Sequence, residues 1–109
     1  MSDNIATRIV RIENVTYARS FQTKIVGLLR AKKPHTLYFK TRFGIHTIGM
    51  RYPIDIIILN DLFLVKKVKS NLLPWKIFIW NPLWQHVIEL PAGSIAQKKI
   101  TLDIVIRIV

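Results

Sequence analysis

The 109 residues contain no cysteine. A disulfide framework and a thiolate metal site are therefore excluded, and the chain suits a reducing compartment. Acidic residues are scarce: six Asp and Glu stand against 17 Lys and Arg, for a formal net charge of +11. Such an excess favours nucleic acid, anionic lipid or an acidic partner. Compositional drift in an Ile-, Lys- and Asn-rich chain produces the same excess, and the basic residues are scattered from Arg8 to Arg107. Only Lys32-Lys33 and Lys66-Lys67-Val68-Lys69 cluster. Long apolar runs are also missing. Asp55, Asn60, Asp61, Pro74 and Pro82 interrupt each stretch short of the roughly 18–20 residues that a spanning helix needs. Asp3, Arg8 and Arg11 break the start of the chain, so no signal peptide and a cytoplasmic location are expected. One domain over 1–109 is expected, large enough to bury roughly two-thirds of its unfolded surface.

What is present reads as strands with one good helix. Thr7 to Ile12 is apolar and β-branched, a first strand that Val15 and Tyr17 continue. Ser20 is a suitable N-cap. Phe21, Ile25, Leu28 and Leu29 then share one face of an amphipathic helix near 20–33, which Pro34 ends. Leu37 to Phe39 predicts a short strand. Ile54 to Leu59 predicts a strand buried on both sides. Asn60-Asp61 predicts a two-residue hairpin turn, with Leu62 to Val68 as the returning strand. Val87 to Leu90 is another strand, stopped by Pro91 and Gly93. A short helix near 94–99 follows, and Ile100 to Val109 alternates as a half-buried strand. The expected fold is α+β and mainly β, a compact mixed or antiparallel sheet or a barrel-like domain.

Two regions are candidates for chemistry or binding. The first follows Gly44-Ile45-His46-Thr47-Ile48-Gly49-Met50-Arg51-Tyr52-Pro53. Asp55 shares a strand face with Ile57 and Leu59, so burial opposes its charge unless Arg51, His46 or a backbone N–H pairs with it. Glu89 lies in equally apolar company. The pocket expected here comprises His46, Met50, Arg51, Asp55, Trp75 and Glu89, and it would take a small molecule or a partner segment. Asp55 and Glu89 would act as an acid–base pair only if they converged. The alternative for each is a structural contact. The second region runs from the lysine cluster through Leu72 to Trp84 and holds all three tryptophans. Lys66, Lys67, Lys69 and Lys76 beside aromatic rings could bind nucleic acid or a lipid headgroup boundary. Otherwise the segment is a long connection whose Trp rings complete the core. His35, His46 and His86 lack zinc-ligand spacing. No phosphate loop or nucleophile elbow occurs, and no metal or cofactor is expected.

Several blocks in order give this chain a resemblance to a known family. They are Ala18-Arg19-Ser20-Phe21, Gly27-Leu28-Leu29, Ile45 to Asp55, Leu73-Pro74-Trp75-Lys76 and Val87-Ile88-Glu89-Leu90-Pro91-Ala92-Gly93. From about Val15 to about Leu102 the chain resembles the domain of unknown function 192 family, also called uncharacterised protein family 0127. The resemblance implies a compact, mainly β domain with small helices, found in bacteria and archaea, and it brings no established activity. Members often carry a Cys just before the His-Thr-x-Gly-Met segment. Lys40-Thr41-Arg42-Phe43 stands there in this chain, so no thiol role carries over. Leu102-Asp103 replaces the family's Gly-Asp after the second helix. Some members are exported, a signal this chain does not show. The function expected is a non-catalytic binding or accessory module.

Overall fold

The computed structural model describes residues 8–18, 36–42 and 44–109. The amphipathic helix expected near 20–33 lies outside them. A five-stranded sheet is built from β2 (Thr16–Tyr17), β3 (Leu37–Lys40), β5 (Ile54–Leu59), β6 (Val65–Leu72) and β8 (His86–Pro91), in the order β2-β3-β8-β5-β6. Two small sheets complete the strands. The first pairs β1 (Ile9–Ile12) in parallel with β9 (Val105–Ile108), and the second pairs β4 (Gly44–His46) antiparallel with β7 (Ile77–Ile79). The described helix, α1, is Ser94–Lys98.

All six residues of β5 are buried because both faces of the central sheet are covered. Ile57, Leu59, Ile88 and Leu90 project to one side and pack with Val10, Ile12, Ile95, Ile104 and Ile106 from the β1–β9 sheet, α1 and the segments beside them. Ile54, Ile56, Ile58 and Val87 project to the other side. There they meet Ile45, Met50, Trp80 and the half-buried Phe78 around the β4–β7 pair. Gly44 permits that pair to close: a Cβ at this position would sit 2.7 Å from the Phe78 carbonyl oxygen. The molecule is thus mainly β with a short helix, as the alternating apolar pattern implies.

Three local expectations are corrected. The turn after β5 is longer than two residues. Asn60 accepts the Phe63 N–H on its carbonyl and the Leu62 and Leu64 N–H groups on its side chain, so β6 starts at Val65 and reaches Leu72. The last strand is short, because Lys99 and Asp103 take positive φ and turn the chain before Val105. The tryptophan segment is also more than a connection, since it contains β7. Trp80 buries in the core as expected, but Trp75 projects into solvent.

Candidate functional site

Asp55 shows how the sheet handles a buried charge. Its side chain is fully buried and accepts three backbone N–H bonds: Asn71 on Oδ1 at 2.9 Å, and Gly93 and Ile95 on Oδ2 at 3.1 and 2.8 Å. The first amides of a helix have no partner within it. Gly93, at the N-cap of α1 with φ 96°, has no side chain to supply one. Asp55 supplies it from β5, and the same carboxylate holds the end of β6 at Asn71. The sequence expectation that a neighbour would pair with Asp55 is met by main-chain donors. His46 and Arg51 are not among these three.

Strand register separates the two carboxylates. Asp55 stands opposite Leu90, and Glu89 stands opposite Ile56. Facing residues in a ladder share a side and successive residues alternate, so Glu89 emerges on the opposite face of the sheet from Asp55. No shared cleft forms between them, which corrects the acid–base pairing. The remaining pocket residues differ in exposure. Met50 is buried in the core, Arg51 and Trp75 are exposed, and His46 is half-buried on the outer side of β4. Its Nδ1 accepts the Ile48 N–H at 3.3 Å.

Thr47 is the residue that joins the two motifs, and sequence reading passed over it. Its buried hydroxyl donates to the Leu73 carbonyl at 2.7 Å and accepts the Lys76 N–H at 2.9 Å. Its own N–H donates to the Lys76 carbonyl, and its carbonyl accepts the N–H groups of Met50 and Trp75. The Leu73-Pro74-Trp75-Lys76 turn is therefore clamped to the His46–Met50 loop. Pro74 sets the first corner, and Trp75 takes φ 63°, a left-handed conformation that a bulky residue holds only where its surroundings impose it. Next to His46 in a glycine-containing loop, Thr47 carried no distinguishing signal in the sequence.

Past this clamp a cleft of about 330 Å³ opens between β6 and β7, which belong to different sheets. Lys69, Asn71, Leu72, Leu73, Lys76, Ile77 and Phe78 line it. The four lysines expected to act together are divided. Lys66 bonds Asp103 at 3.2 Å. Lys67 donates to the Ile79 carbonyl at 3.0 Å and lies over the Phe78 ring, stitching β6 to β7. Lys69 and Lys76 reach the cleft. On an edge strand, lysines also discourage pairing with another chain.

A second polar chain crosses the other end of β8. With His86 Nε2–H donated to Asp61 at 3.0 Å, its Nδ1 accepts the Tyr38 hydroxyl at 2.6 Å. The ring also stacks on Tyr38 and packs against Phe63. Among the described residues no group of three or more His, Asp or Glu is arranged to hold a metal ion. Burial first, then the charges of Tyr17 and Asp61, raise the Tyr38 phenol above its ordinary 10.0. Burial first, then Glu89, does the same for Tyr52. Above pH 10 the unfolded chain loses protons that the fold retains. The stability these two phenols contribute is therefore fully present below pH 10 and is lost as pH rises through their folded values. Phenolate absorbance should accordingly appear at higher pH in the native protein than in urea, and Tyr38→Phe with Tyr52→Phe should remove that lag. Coincident titrations would contradict this.

The fold defines a small β-rich domain with an open cleft beside β6. The profile of the family DUF192, described as uncharacterized ACR, matches residues 3–108, so the chain belongs to that family. No curated protein matches it. Two crystal structures share the fold. One is a protein of unknown function from Novosphingobium aromaticivorans, with a TM-score of 0.71 and 17% identity, covering 82% of this chain and 70% of that one. The other, from Sinorhizobium meliloti, is described as a "putative transcription regulator". It has the same TM-score and identity and covers 82% of this chain and 76% of its own. No helix among the described residues is long and apolar enough to cross a membrane.

Proposed function

We propose that this chain is a single-domain binding module that takes a small anion with an apolar portion in the cleft between β6 and β7. One observation carries the reading. Lys69 and Lys76 approach the cleft from its two sides, while Leu72, Leu73, Ile77 and Phe78 supply an apolar lining. A concave, mostly apolar site with a few polar groups that fix orientation is the usual form of a small-molecule site, and the volume falls in that range. Position supports it too. Thr47 bonds both Leu73 and Lys76, so the cleft adjoins the His-Thr-x-Gly-Met loop.

The probe for this reading is 8-anilinonaphthalene-1-sulfonate, an aromatic sulfonate followed by fluorescence on the native protein. The double variant Lys69→Ala with Lys76→Ala is expected to weaken binding about tenfold or more, since each charged hydrogen bond contributes about 1.5–3 kcal/mol. Lys66→Ala, at an ion pair that takes no part in lining the cleft, should leave binding unchanged. Equal affinity in the double variant and the parent, at equal urea midpoints, would remove the cleft as the site.

A further inference from the structure

Among the described residues, the outer side of the β4–β7 sheet carries large exposed apolar side chains beside the half-buried His46. Opposite Gly44 and His46 in the ladder stand Ile79 and Ile77, 65% and 74% exposed. Their neighbours inward, Ile45 and Phe78, belong to the core, so the isoleucines point away from it. The clamped turn immediately before β7 adds Leu73 and Trp75, about half and two-thirds exposed, and the loop it is clamped to adds Ile48. Isolated surface apolar residues need no explanation, but several large ones together mark an interaction surface.

Charge narrows the occupant. Segments 44–53 and 67–80, which build this region, contain Arg51, Lys67, Lys69 and Lys76 and no Asp or Glu. The acidic residues nearest to them in sequence lie elsewhere: Asp55 is buried beneath α1, and Asp61 follows the far end of β5. A second copy would bring the same positive field, within a chain of formal net charge +11, and would be repelled. Nucleic acid would use Trp75 and the lysines, yet projecting isoleucines gain nothing from phosphates or base edges. An anionic lipid surface uses every part. Isoleucine and leucine enter the acyl boundary, tryptophan takes the headgroup level, and lysines meet the lipid charge.

We infer that the Trp75–Ile79 face, with Ile48 beside it, docks this protein peripherally on anionic membrane. The turn geometry fits that role, since a rigid left-handed Trp75 is presented without the entropic cost of ordering a flexible loop on contact. The inference goes beyond the cleft reading: the two share Leu73, Ile77, Lys69 and Lys76, whereas Ile48, Trp75 and Ile79 belong to the docking face alone.

The test is co-sedimentation of the full chain with vesicles of equimolar phosphatidylglycerol and phosphatidylcholine, against phosphatidylcholine alone. Binding to the anionic vesicles, with a blue shift of tryptophan emission that Trp75→Phe removes, is expected. Ile48→Ser with Ile79→Ser, neither of which lines the cleft, should weaken partitioning by about tenfold per isoleucine, from about 25 cal/mol per Å² of apolar surface withdrawn from water. Both side chains are exposed, so the urea midpoint should hold. Absence of sedimentation at low salt would overturn the inference. Unchanged partitioning in the isoleucine double variant would overturn it as well, because adsorption would then need charge alone. So would a single-stranded oligonucleotide that binds where anionic vesicles do not. Loss of sulfonate binding on replacing Lys69 and Lys76 says nothing against docking, whereas loss of vesicle binding in the isoleucine variant leaves the cleft standing.

Discussion

Asp55→Ala should cost about 3–5 kcal/mol of folding stability, read as a fall in the urea midpoint, because three backbone donors lose their shared acceptor and the Ile95 N–H is left buried without it. Domains of this size have about 5–15 kcal/mol to lose, so the variant should sit near the limit of stable folding. Asp55→Asn separates the two halves of the contact. Its amide oxygen can take the Oδ2 position against the Gly93 and Ile95 amides, which places its NH₂ against the Asn71 N–H. The helix cap is then kept and the end of β6 released, for an intermediate loss of about 2 kcal/mol. Native-state hydrogen exchange should show faster exchange at Asn71 while Ile95 stays protected. An Ala variant with an unchanged urea midpoint would show that the carboxylate does not hold these elements.

The second large effect is expected at Thr47. Thr47→Val keeps the shape and removes the hydroxyl, leaving the Lys76 N–H and the Leu73 carbonyl without that partner. A loss of about 2–3 kcal/mol follows for the buried groups. The consequence for binding is more distinctive. The clamp aims both the cleft rim at Lys76 and the Trp75 turn, so sulfonate binding and vesicle docking should weaken together. Thr47→Ser restores the hydroxyl and should recover both. Recovery of stability with neither binding activity would assign Thr47 to the fold alone. Wild-type behaviour in Thr47→Val would remove the clamp from the account.

Some of this was readable in the chain. Ile54 to Leu59, apolar on both alternating sets of positions apart from Asp55, specify a strand buried on both faces. Asp55 within that run signalled a satisfied charge. Its partners were not readable, since they lie 16, 38 and 40 residues away and use main-chain amides that every residue possesses. Three-residue strands such as β4 and β7 are too short to display a period, so the Leu72–Trp84 segment read as a connection. How the residues of the expected pocket are arranged was unreadable for a related reason. Its six residues were linked by chemical type, and whether His46, Met50 and Glu89 face one another depends on registers between distant strands.

Composition, periodicity and motif order by themselves determined a mainly β chain of the DUF192 family with large positive charge and a carboxylate requiring a partner. These properties follow from local pattern and summed charge, which need no knowledge of neighbours. Tertiary structure alone decided that Asp55 and Glu89 part to opposite faces, that Thr47 clamps the Trp75 turn, and that Lys69 and Lys76 line one cleft. A shift of one residue in strand pairing reverses every side chain. Which groups share a space is therefore a property of the register, and the register is set by the packing of the whole sheet.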